Sequence, residues 1–307
     1  MKHETRVAYG EALAELAKEN KDIIALDADL SKSTKTAEIK KVASERHINC
    51  GIAEADMMGI AAGLAASGKI PFASSFAVFA AGRAFEIIRN SICYPKLNVK
   101  ICATHAGLSV GEDGATHQAI EDIALMRSLP NMKVFVASDY HETKALIRHV
   151  SEIKGPCYVR MQRGKSEDIY DEDTVFDFYK PKELKKGKDI ALIATGLMTQ
   201  YALKAADILA KEGIDASVYE VVCLKPLADK EIREIIKSHR INFTIEEHSI
   251  IGGLYGAVAE AAIAEPSNPV YPIGVKDTFG ESGKAEEVLK KYGLDEEGII
   301  KAIKERI

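Results

Sequence analysis

A glutamate at the start of a helix is the residue of this sequence best suited to acid–base chemistry. Residues 49–64 pass from a short apolar segment into a helix of small residues, and Glu54 and Asp56 stand at the point of change. One acidic side chain is enough to cap the exposed N–H groups of a first helical turn, and the shorter side chain of Asp56 suits that role better. Glu54 is then left without a structural role, although a second favourable charge at a helix start is the plainer interpretation.

A second candidate for chemistry is the polar loop that begins at His105. Two glycines bracket Glu112 and Asp113, as a tight loop with unusual backbone dihedrals requires. Thr116 or Asp113 is expected to cap the helix that follows, which places His117 in its first turn. Because a helix N-terminus disfavours a positive charge, we expect His117 to be neutral and to form hydrogen bonds.

Short apolar runs that predict buried strands position these candidates. Segments 22–27, 98–104 and 132–137 are apolar, and they alternate with helical patterns such as that of residues 7–20. Ligands collect at the carboxyl ends of the strands in open parallel sheets. The loop 27–33 lies at such an end, although a turn with a helix cap explains it equally well. The sequence therefore predicts an α/β fold made of doubly wound parallel sheets.

Two domains are predicted from the length and from a change in the charge pattern. A chain of 307 residues is long enough for two domains of roughly 150 residues each. Residues 171–188 contain acidic residues followed by lysines, a pattern typical of a solvated linker. We therefore expect a first domain over residues 1–170, a charged linker over 171–188 and a smaller parallel α/β domain over 189–307.

Composition and charge exclude several classes of function. The net charge of −5 and the pI near 6.0 give no electrostatic basis for binding nucleic acid. The first residues lack the apolar core of a signal peptide, and no apolar stretch approaches the ~20 residues that cross a membrane. The five cysteines are scattered, so they are expected to be reduced and mostly buried. We therefore expect a cytoplasmic protein whose partners are small molecules or other proteins.

Two motifs carry a resemblance to a known family. Gly-Ile-Ala-Glu at 51–54, with the helix after it, resembles the pyrimidine-binding domain of thiamine-diphosphate enzymes of the transketolase group. Gly-Glu-Asp-Gly-Ala-Thr-His-Gln at 111–118 closely resembles the transketolase signature of this region. Segments 252–256 and 279–283 resemble the transketolase C-terminal domain. The resemblance extends over nearly the whole chain and implies a pyrimidine-binding domain followed by a transketolase C-terminal-like domain.

The resemblance implies cofactor binding by four residues. In this group a glutamate at the position of Glu54 contacts N1′ of the aminopyrimidine of thiamine diphosphate. A carboxyl group in a water-poor site can share a proton with that ring, which helps the 4′-amino group to take the proton from the thiazolium C2. Phe76 and Phe79 fall where transketolases stack aromatic rings on the aminopyrimidine, and Asp29 falls near the cofactor. From the residues alone, the two phenylalanines are more typical of a core.

The resemblance also implies residues that bind the substrate. His117 matches a residue at the reacting end of the donor, so we expect it to act in catalysis together with Glu54. Asp113 matches a ligand of a sugar hydroxyl, and Arg163 matches a phosphate ligand better than Arg160 does. The implied substrate-binding residues are Arg6, Ser33, His105, Asp113, Arg163 and Arg160. From the residues alone, solvation or a surface ion pair explains each arginine equally well.

One motif of the family is missing from this sequence. Enzymes of the group hold the cofactor diphosphate and a divalent metal ion with a Gly-Asp-Gly…Asn motif, and no Gly-Asp-Gly occurs in the 307 residues. The resemblance therefore implies a separate N-terminal transketolase subunit that binds the diphosphate and the metal, expected to be Mg²⁺, and shares the cofactor with this chain. We expect a heterotetramer with two copies of each subunit, or a homodimer of this chain.

The resemblance predicts the C-terminal subunit of a split transketolase. Such an enzyme reversibly transfers a two-carbon ketol unit from a ketose phosphate to an aldose phosphate, as in the pentose phosphate pathway. Three alternatives stay open. Ala-Glu-Ala at 53–55 is nearer to the Ala-Glu-Gln of deoxyxylulose-phosphate synthase, which decarboxylates pyruvate. A β subunit of a 2-oxoacid dehydrogenase shares the two-domain plan, although residues 111–118 argue against it, and a non-catalytic scaffold would have kept only the fold.

Overall fold

Strands in three sheets form the framework of the protein. The computed structural model describes residues 1–307. Seven strands form one sheet, five form a second sheet, and two form a small antiparallel ribbon. In chain order the strands are β1 (Lys2–Glu4), β2 (Ile23–Asp27), β3 (His47–Asn49), β4 (Ile70–Ser74), β5 (Lys100–Ala103), β6 (Lys133–Val136), β7 (Cys157–Arg160), β8 (Lys165–Glu167), β9 (Lys182–Lys185), β10 (Ile190–Ala194), β11 (Ala216–Glu220), β12 (Cys223–Lys225), β13 (Ile241–Ser249) and β14 (Val270–Val275).

Helices flank the two larger sheets. No helix combines the length and the apolar character needed to pass through a membrane. Two π-helical turns, Val78–Arg83 and Ile88–Cys93, and three 3₁₀ turns, Thr36–Ile39, Ser44–Arg46 and Leu108–Asp113, complete the set. In chain order the α-helices are α1 (Thr5–Glu19), α2 (Ser31–Thr34), α3 (Lys40–Ala43), α4 (Glu54–Ala66), α5 (Phe85–Ile87), α6 (Asp122–Ser128), α7 (Tyr140–Glu152), α8 (Met198–Lys211), α9 (Asp229–Ser238), α10 (Leu254–Ala262), α11 (Ala285–Lys291) and α12 (Glu296–Lys304).

The seven-stranded sheet has both faces covered, as a doubly wound fold requires. Its order is β12-β6-β7-β5-β4-β2-β3, and every pair is parallel except β12 with β6. Alternate residues of a strand point to opposite faces. Ile23 and Ala25 therefore belong to the core that α1 and α7 complete, whereas Ile24 and Leu26 belong to the core that α4 completes. Burial on both faces explains why these strands are continuous apolar runs in the sequence.

The five-stranded sheet belongs to the second domain. Its order is β14-β13-β10-β11-β9, and only β9 runs antiparallel to its neighbour. Leu192 and Phe243 from the sheet pack in one core with Met198 of α8 and Ile299 of α12. The predicted fold of two α/β domains built on parallel sheets is confirmed.

Part of the segment predicted to be a solvated linker is packed, although its acidic residues are exposed. Phe178 is buried, and its ring stacks on Phe176 with the ring centroids 5.3 Å apart and lies 5.1 Å from the ring of His149. The last part of the segment is β9, an edge strand of the second sheet. Aromatic residues between the acidic and the basic block supply apolar surface, so the segment packs although its charges are typical of a linker.

The carboxyl ends of the parallel strands meet at one edge of the seven-stranded sheet. Asp29 follows β2, Phe76 follows β4 and His105 follows β5, while Arg160 is the last residue of β7. Neighbouring parallel strands end together, so the topology alone brings these positions to one edge.

Candidate active site at the edge of the first sheet

Glu54 is the first residue of α4, and its side chain is only 3% exposed. The predicted capping of this helix by Asp56 is wrong, because the N-cap residue is Ala53 and no side chain caps the helix. The Glu54 carboxylate accepts hydrogen bonds from Ser75 Oγ at 3.4 Å and from Arg83 Nη1 at 3.2 Å. A negative charge is favourable at this end of the helix. The carboxylate does not cap the helix, however, and bonds instead to the side chains of Ser75 and Arg83.

Two phenylalanine and two histidine rings form a cluster beside the strand ends. The rings of Phe76 and Phe79 are stacked, with an interplanar angle of 17° and centroids 6.0 Å apart. Phe76 also stacks on His105 at 3.8 Å, and the ring of His117 lies edge-on to Phe79 at 5.2 Å. The structure therefore brings together both predicted cofactor-binding phenylalanines and the predicted catalytic histidine.

Arg83 connects this cluster to Glu54, and the sequence analysis did not single it out. Its guanidinium carbon lies 4.1 Å from the centre of the Phe79 ring, and its side chain is 53% exposed. It ends the π-helical turn Val78–Arg83, and π-helical turns are frequent at functional sites. In the sequence, Arg83 follows Phe79 by four residues. Residues at that spacing lie on one face of a helix, so the spacing indicates a contact between the two side chains. Arg83 supplies the positive charge that the buried Glu54 carboxylate requires.

The loop after β5 is a tight turn rather than the start of a helix. A 3₁₀ turn spans Leu108–Asp113 and lies between Gly107, with φ of 78°, and Gly114, with φ of 72°. Both values fall in the left-handed region that favours glycine. Gly111, with φ of 80°, does so as well, which agrees with the unusual dihedrals predicted for Gly111 and Gly114.

His117 lies in this loop, ahead of the helix. The prediction that His117 occupies the first turn of a helix is wrong, because α6 begins at Asp122. Its Nδ1 atom lies 2.9 Å from Oγ1 of Thr116, so the local hydroxyl orients the ring instead of a helix N-terminus. The peptide between Gly114 and the helix forms turns that the apolar pattern of the sequence does not reveal.

His105 is an uncharged histidine surrounded by cations. Burial, followed by the positive charges of Arg6 and Arg163 and by His117, lowers the pKa of His105 to about 3. Its Nδ1 atom lies 2.8 Å from Oγ1 of Thr104. A neutral imidazole can donate or accept a single hydrogen bond, so His105 can contact an anion without adding charge.

Two arginines predicted to bind phosphate lie near His105. Arg163 is 3.4 Å from a carboxylate oxygen of Glu112 and 3.7 Å from one of Asp113, and it also donates a hydrogen bond to a backbone carbonyl of the loop. Arg6 donates to the backbone oxygen of Ser33 at 3.1 Å and pairs with Glu4 at 3.0 Å. The predicted substrate-binding residues Arg163 and Asp113 are thus neighbours in space, and so are Arg6 and Ser33.

Arg160 is placed apart from these residues. Its side chain is 6% exposed and pairs with Asp122 at 3.0 Å. Its remaining hydrogen bonds go to backbone oxygens of Ala119 and Glu247, at 3.2 and 2.9 Å. Its Nε group is used in a buried pair within the first domain, and its Nη2 group reaches the backbone of the second domain. These contacts give Arg160 a structural role in place of the expected role as second phosphate ligand.

Asp29 lies at the mouth of the same edge. Its backbone is in the left-handed region with φ of 63°, and the side chain of Asn49 fixes it by donating to its carboxylate at 3.0 Å and accepting from its N–H at 3.1 Å. The exposed carboxylate is therefore held in one position although it lies at the surface.

Comparison with protein families agrees with this geometry. Residues 1–167 match the family described as "Transketolase, pyrimidine binding domain", and residues 180–299 match the one described as "Transketolase, C-terminal domain". The chain belongs to the transketolase family. The resemblance that rests on residues 51–54 and 111–118 is thereby confirmed.

Relatives of this transketolase-family chain include proteins of the same length. It is 53% identical over 305 residues to a Methanocaldococcus jannaschii protein named "Putative transketolase C-terminal section", covering 98% of this chain and 96% of that one. It is 36% identical over 304 residues to the 6-deoxy-6-sulfo-D-fructose transketolase subunit SqwH of Clostridium sp., covering 99% of this chain and 94% of that one. A solved structure titled "Split gene transketolase, inactive beta4 tetramer" matches with a TM-score of 0.91 and 52% identity, over 98% of this chain and 97% of that one. The expected likeness to the C-terminal part of a split transketolase is confirmed.

Single-chain transketolases are about twice as long. The transketolase of Homo sapiens is 37% identical over 304 residues, which are 98% of this chain but 48% of the human protein. The transketolase-family chain thus corresponds to about half of such an enzyme.

One face of the site is left open by this chain. On α4, Gly59 and Gly63 are exposed, and a Cβ atom built on either glycine would have no other atom within 4 Å. Ile52, two residues before Glu54, is 77% exposed. We call this surface, formed by Ile52, Gly59 and Gly63, the open face.

Proposed function

We propose that this chain is the pyrimidine-binding subunit of a thiamine-diphosphate-dependent transketolase made of two kinds of subunit. In this proposal the assembled enzyme transfers a two-carbon ketol unit from a ketose phosphate to an aldose phosphate. The observation that supports it most is the buried Glu54 carboxylate, which pairs with the same Arg83 guanidinium that lies over the Phe79 ring.

The side chains at this edge fit an aminopyrimidine ring. Such a ring is flat and carries a weakly basic nitrogen. In this structure the guanidinium of Arg83 makes the contacts that we propose for the ring, since it too is flat and positively charged. It lies 4.1 Å from the centre of the Phe79 ring and 3.2 Å from a carboxylate oxygen of Glu54. An aromatic face and a carboxylate are the two contacts that a protonated aminopyrimidine needs, and both are present.

Glu54, Phe76 and Phe79 have distinct tasks in the proposed mechanism. When bound, thiamine diphosphate supplies the electron sink for breaking the carbon–carbon bond next to the ketose carbonyl. Glu54 would hold a proton at the ring nitrogen by accepting a hydrogen bond from it, at a buried position where water does not compete. The two phenylalanine rings fix the plane of the pyrimidine and exclude water from the carboxylate. Asp29, which is held by the side chain of Asn49, lies at the entrance to the same site.

The polar side of the edge is proposed to bind the sugar phosphate. Arg163 and Arg6 provide positive charge, and the neutral His105 provides one hydrogen bond without repelling the substrate. Asp113 accepts a hydrogen bond from a sugar hydroxyl. His117, which lies edge-on to Phe79, is close enough to the stacked rings to contact the reacting end of the donor.

The diphosphate and its metal ion are assigned to a second polypeptide. No group of three or more His, Cys, Asp or Glu side chains in this chain is arranged to hold a metal ion. We propose that the partner carries the missing Gly-Asp-Gly motif, binds Mg²⁺, and docks on the open face to form a heterotetramer. Helix glycines without side chains permit the close backbone approach that such docking requires.

The proposal is tested by mixing this chain with a partner chain that carries the Gly-Asp-Gly motif. Conversion of xylulose 5-phosphate and ribose 5-phosphate is measured with and without thiamine diphosphate and Mg²⁺. We expect cofactor-dependent transfer by the mixture only. Because relatives are named for 6-deoxy-6-sulfo-D-fructose and apulose 4-phosphate, these ketoses are assayed in parallel. Release of carbon dioxide from pyruvate without any ketol transfer would overturn the proposal in favour of a deoxyxylulose-phosphate-synthase-like activity.

A further inference from the structure

The loop that carries Asp113 and His117 is held from both domains. We call residues 107–118 the clamped loop. From the first domain, Arg163 donates a hydrogen bond to the backbone oxygen of Val110. From the second domain, Glu247 accepts a hydrogen bond from the backbone N–H of Ser109. The loop therefore lies between one arginine and one carboxylate that belong to different domains.

Glu247 reaches the clamped loop from the buried strand β13. Its side chain is nearly inaccessible, with 2% of the residue exposed. The carboxyl group lies so close to Gly107 that a side chain at that position would collide with it. Gly107 is therefore required twice, once for its left-handed φ of 78° and once for the space that Glu247 occupies.

The second domain gains little stability from this carboxyl group. Oε2 of Glu247 is buried and has no hydrogen-bond partner. Arg160 donates to the backbone oxygen of Glu247 and pairs with Asp122, so no salt bridge to the Glu247 carboxylate compensates for its burial. A buried polar atom without a partner costs stability and calls for an explanation. The hydrogen bond that the Glu247 carboxylate accepts comes from the backbone N–H of Ser109, in the loop of the candidate active site.

We propose that Glu247 is a positioning residue, which sets the place of Asp113 and His117 against the sugar phosphate by accepting the N–H of Ser109. This inference rests on the proposed function and deepens it, because it gives the second domain a part in substrate recognition. Glu247 itself touches neither the substrate nor the cofactor. Displacing a substrate-binding group by about 1 Å is enough to weaken its contact with the substrate strongly.

The neighbouring Glu246 provides a matched control. It lies on the same strand and is equally buried, and burial raises the pKa of both glutamates to about 7. Successive side chains of a strand point in opposite directions. The Glu246 carboxylate accepts hydrogen bonds from the backbone N–H groups of Leu254 and Tyr255, at 2.6 and 2.8 Å, at the start of α10. It therefore serves the second domain alone.

The first test measures amide hydrogen exchange in the chain without a partner. Glu247→Met removes the acceptor and the buried charge but fills the space, so the chain is expected to fold. We expect the Ser109 amide to exchange roughly tenfold faster or more in Glu247→Met, and within about threefold of the wild type in Glu247→Gln, which keeps an acceptor. Glu246→Met is expected to speed exchange at Leu254 and Tyr255 only. An unchanged Ser109 amide in Glu247→Met would overturn the inference.

The second test measures the kinetics of the assembled enzyme. Glu247→Met is expected to raise KM for the ketose phosphate roughly tenfold and to lower kcat/KM by at least as much, because Asp113 and His117 are both displaced, while thiamine-diphosphate affinity stays within about threefold. Glu247→Gln is expected to keep KM near the wild-type value, and so is Glu246→Met. Equal rises of KM in Glu247→Met and Glu246→Met would show a general loss of structure and overturn the inference. Absence of ketol transfer in the wild-type mixture would instead overturn the proposed function, while the exchange test would still decide the role of Glu247.

Discussion

The open face and the clamped loop lie on the same domain but are completed in opposite ways. A Cβ atom built on Gly59 or Gly63 of the open face would meet no other atom within 4 Å. At Gly107 of the clamped loop, a Cβ atom would collide with Glu247 from the second domain. Both surfaces contain glycines that leave room for a neighbouring group. Within this chain only Gly107 has such a neighbour, which is Glu247.

This difference shows which half of the site the chain completes by itself. The residues proposed to bind the sugar phosphate are fixed by contacts within the chain, such as that of Arg163 with Asp113 at 3.7 Å. The residues proposed to bind the pyrimidine face a surface where Ile52 is 77% exposed. An exposed large apolar side chain beside open helix glycines is typical of a surface that another protein covers.

The largest effect is expected at Glu54, beside the open face. Glu54→Gln keeps the size of the side chain but cannot hold the proton at the ring nitrogen. We expect kcat of the assembled enzyme to fall roughly 10²- to 10⁴-fold, the range for loss of a general acid–base group. Steady-state assays of the mixture measure this effect, and thermal unfolding checks that the chain is folded. Wild-type activity of Glu54→Gln would contradict the proposed mechanism and favour a non-catalytic scaffold.

Next in size is the buried pair of Arg160 and Asp122 in the first domain, from which Arg160 also donates a hydrogen bond to the backbone of the second domain. Arg160→Met leaves the carboxylate of Asp122, which is 1% exposed, without its cation. We expect the free energy of unfolding to fall by about 3–5 kcal/mol, because an unpaired buried charge is costly. Denaturant titration measures this loss, with Arg163→Met as a control that removes a guanidinium whose side chain is 37% exposed. A smaller loss for Arg160→Met than for Arg163→Met would contradict its assignment as a structural residue.

The pH dependence of stability is a third way to sharpen the comparison. Burial is the main cause that raises the pKa of Glu247 to about 7, from an ordinary value of 4.5, and Arg160, Asp122, His248 and Tyr201 are the titratable groups around it. The folded state therefore binds the Glu247 proton more tightly than the unfolded state does. The contribution of Glu247 to the free energy of unfolding is fully present below pH 4.5 and is lost as the pH rises through 7. Glu247→Gln does not titrate. We expect the free energy of unfolding of Glu247→Gln, relative to that of the wild type, to increase by about 2–3 kcal/mol from pH 5 to pH 8.

A difference that stays constant with pH would contradict this prediction. His248 titrates in the opposite direction, because burial lowers its pKa to about 4 and its contribution is gained as the pH rises. That contribution is common to both proteins and cancels in the difference. Denaturant titrations at several pH values therefore isolate Glu247.

The smallest of the four effects is expected on the open face. Gly59→Leu should leave the folded chain intact, since the added side chain meets no atom of its own chain. We expect it to weaken association with the partner roughly 30-fold, the equivalent of about 2 kcal/mol. Sedimentation or calorimetry measures the affinity, and Ala210→Leu, at an exposed position of α8, is the matched control. Equal affinities of the two variants would place the docking surface elsewhere.

The sequence predicted the parts of the site that follow from strand ends. Phe76 and His105 lie just after the apolar strands β4 and β5, and Glu54 begins the helix that follows β3, so the parallel topology gathers them. Burial of the cysteines was also predictable from their apolar surroundings, and four of the five are buried and all are free. These features depend on local pattern, which the sequence contains.

The features that the sequence did not predict depend on partners far along the chain. Arg160 was expected in the site because two arginines lie at one strand end, but the carboxylate of Asp122, 38 residues away, holds it in a buried pair. Glu247 belongs to a Glu-Glu-His run at the end of an apolar strand, a signal that was available but not interpreted. The early turn at His117 replaced the expected helix because residues 107–118 pack against the second domain. Long-range packing of this kind overrides local propensity.

Cofactor affinity of the separate and combined chains tests the central claim most directly. Thiamine diphosphate with Mg²⁺ is titrated by calorimetry into this chain, into a partner chain with the Gly-Asp-Gly motif, and into the mixture. Because this chain supplies the pyrimidine contacts and the partner the diphosphate contacts, we predict binding by the mixture at least roughly a hundredfold tighter than by either chain alone. Binding by this chain alone that equals binding by the mixture would contradict the account.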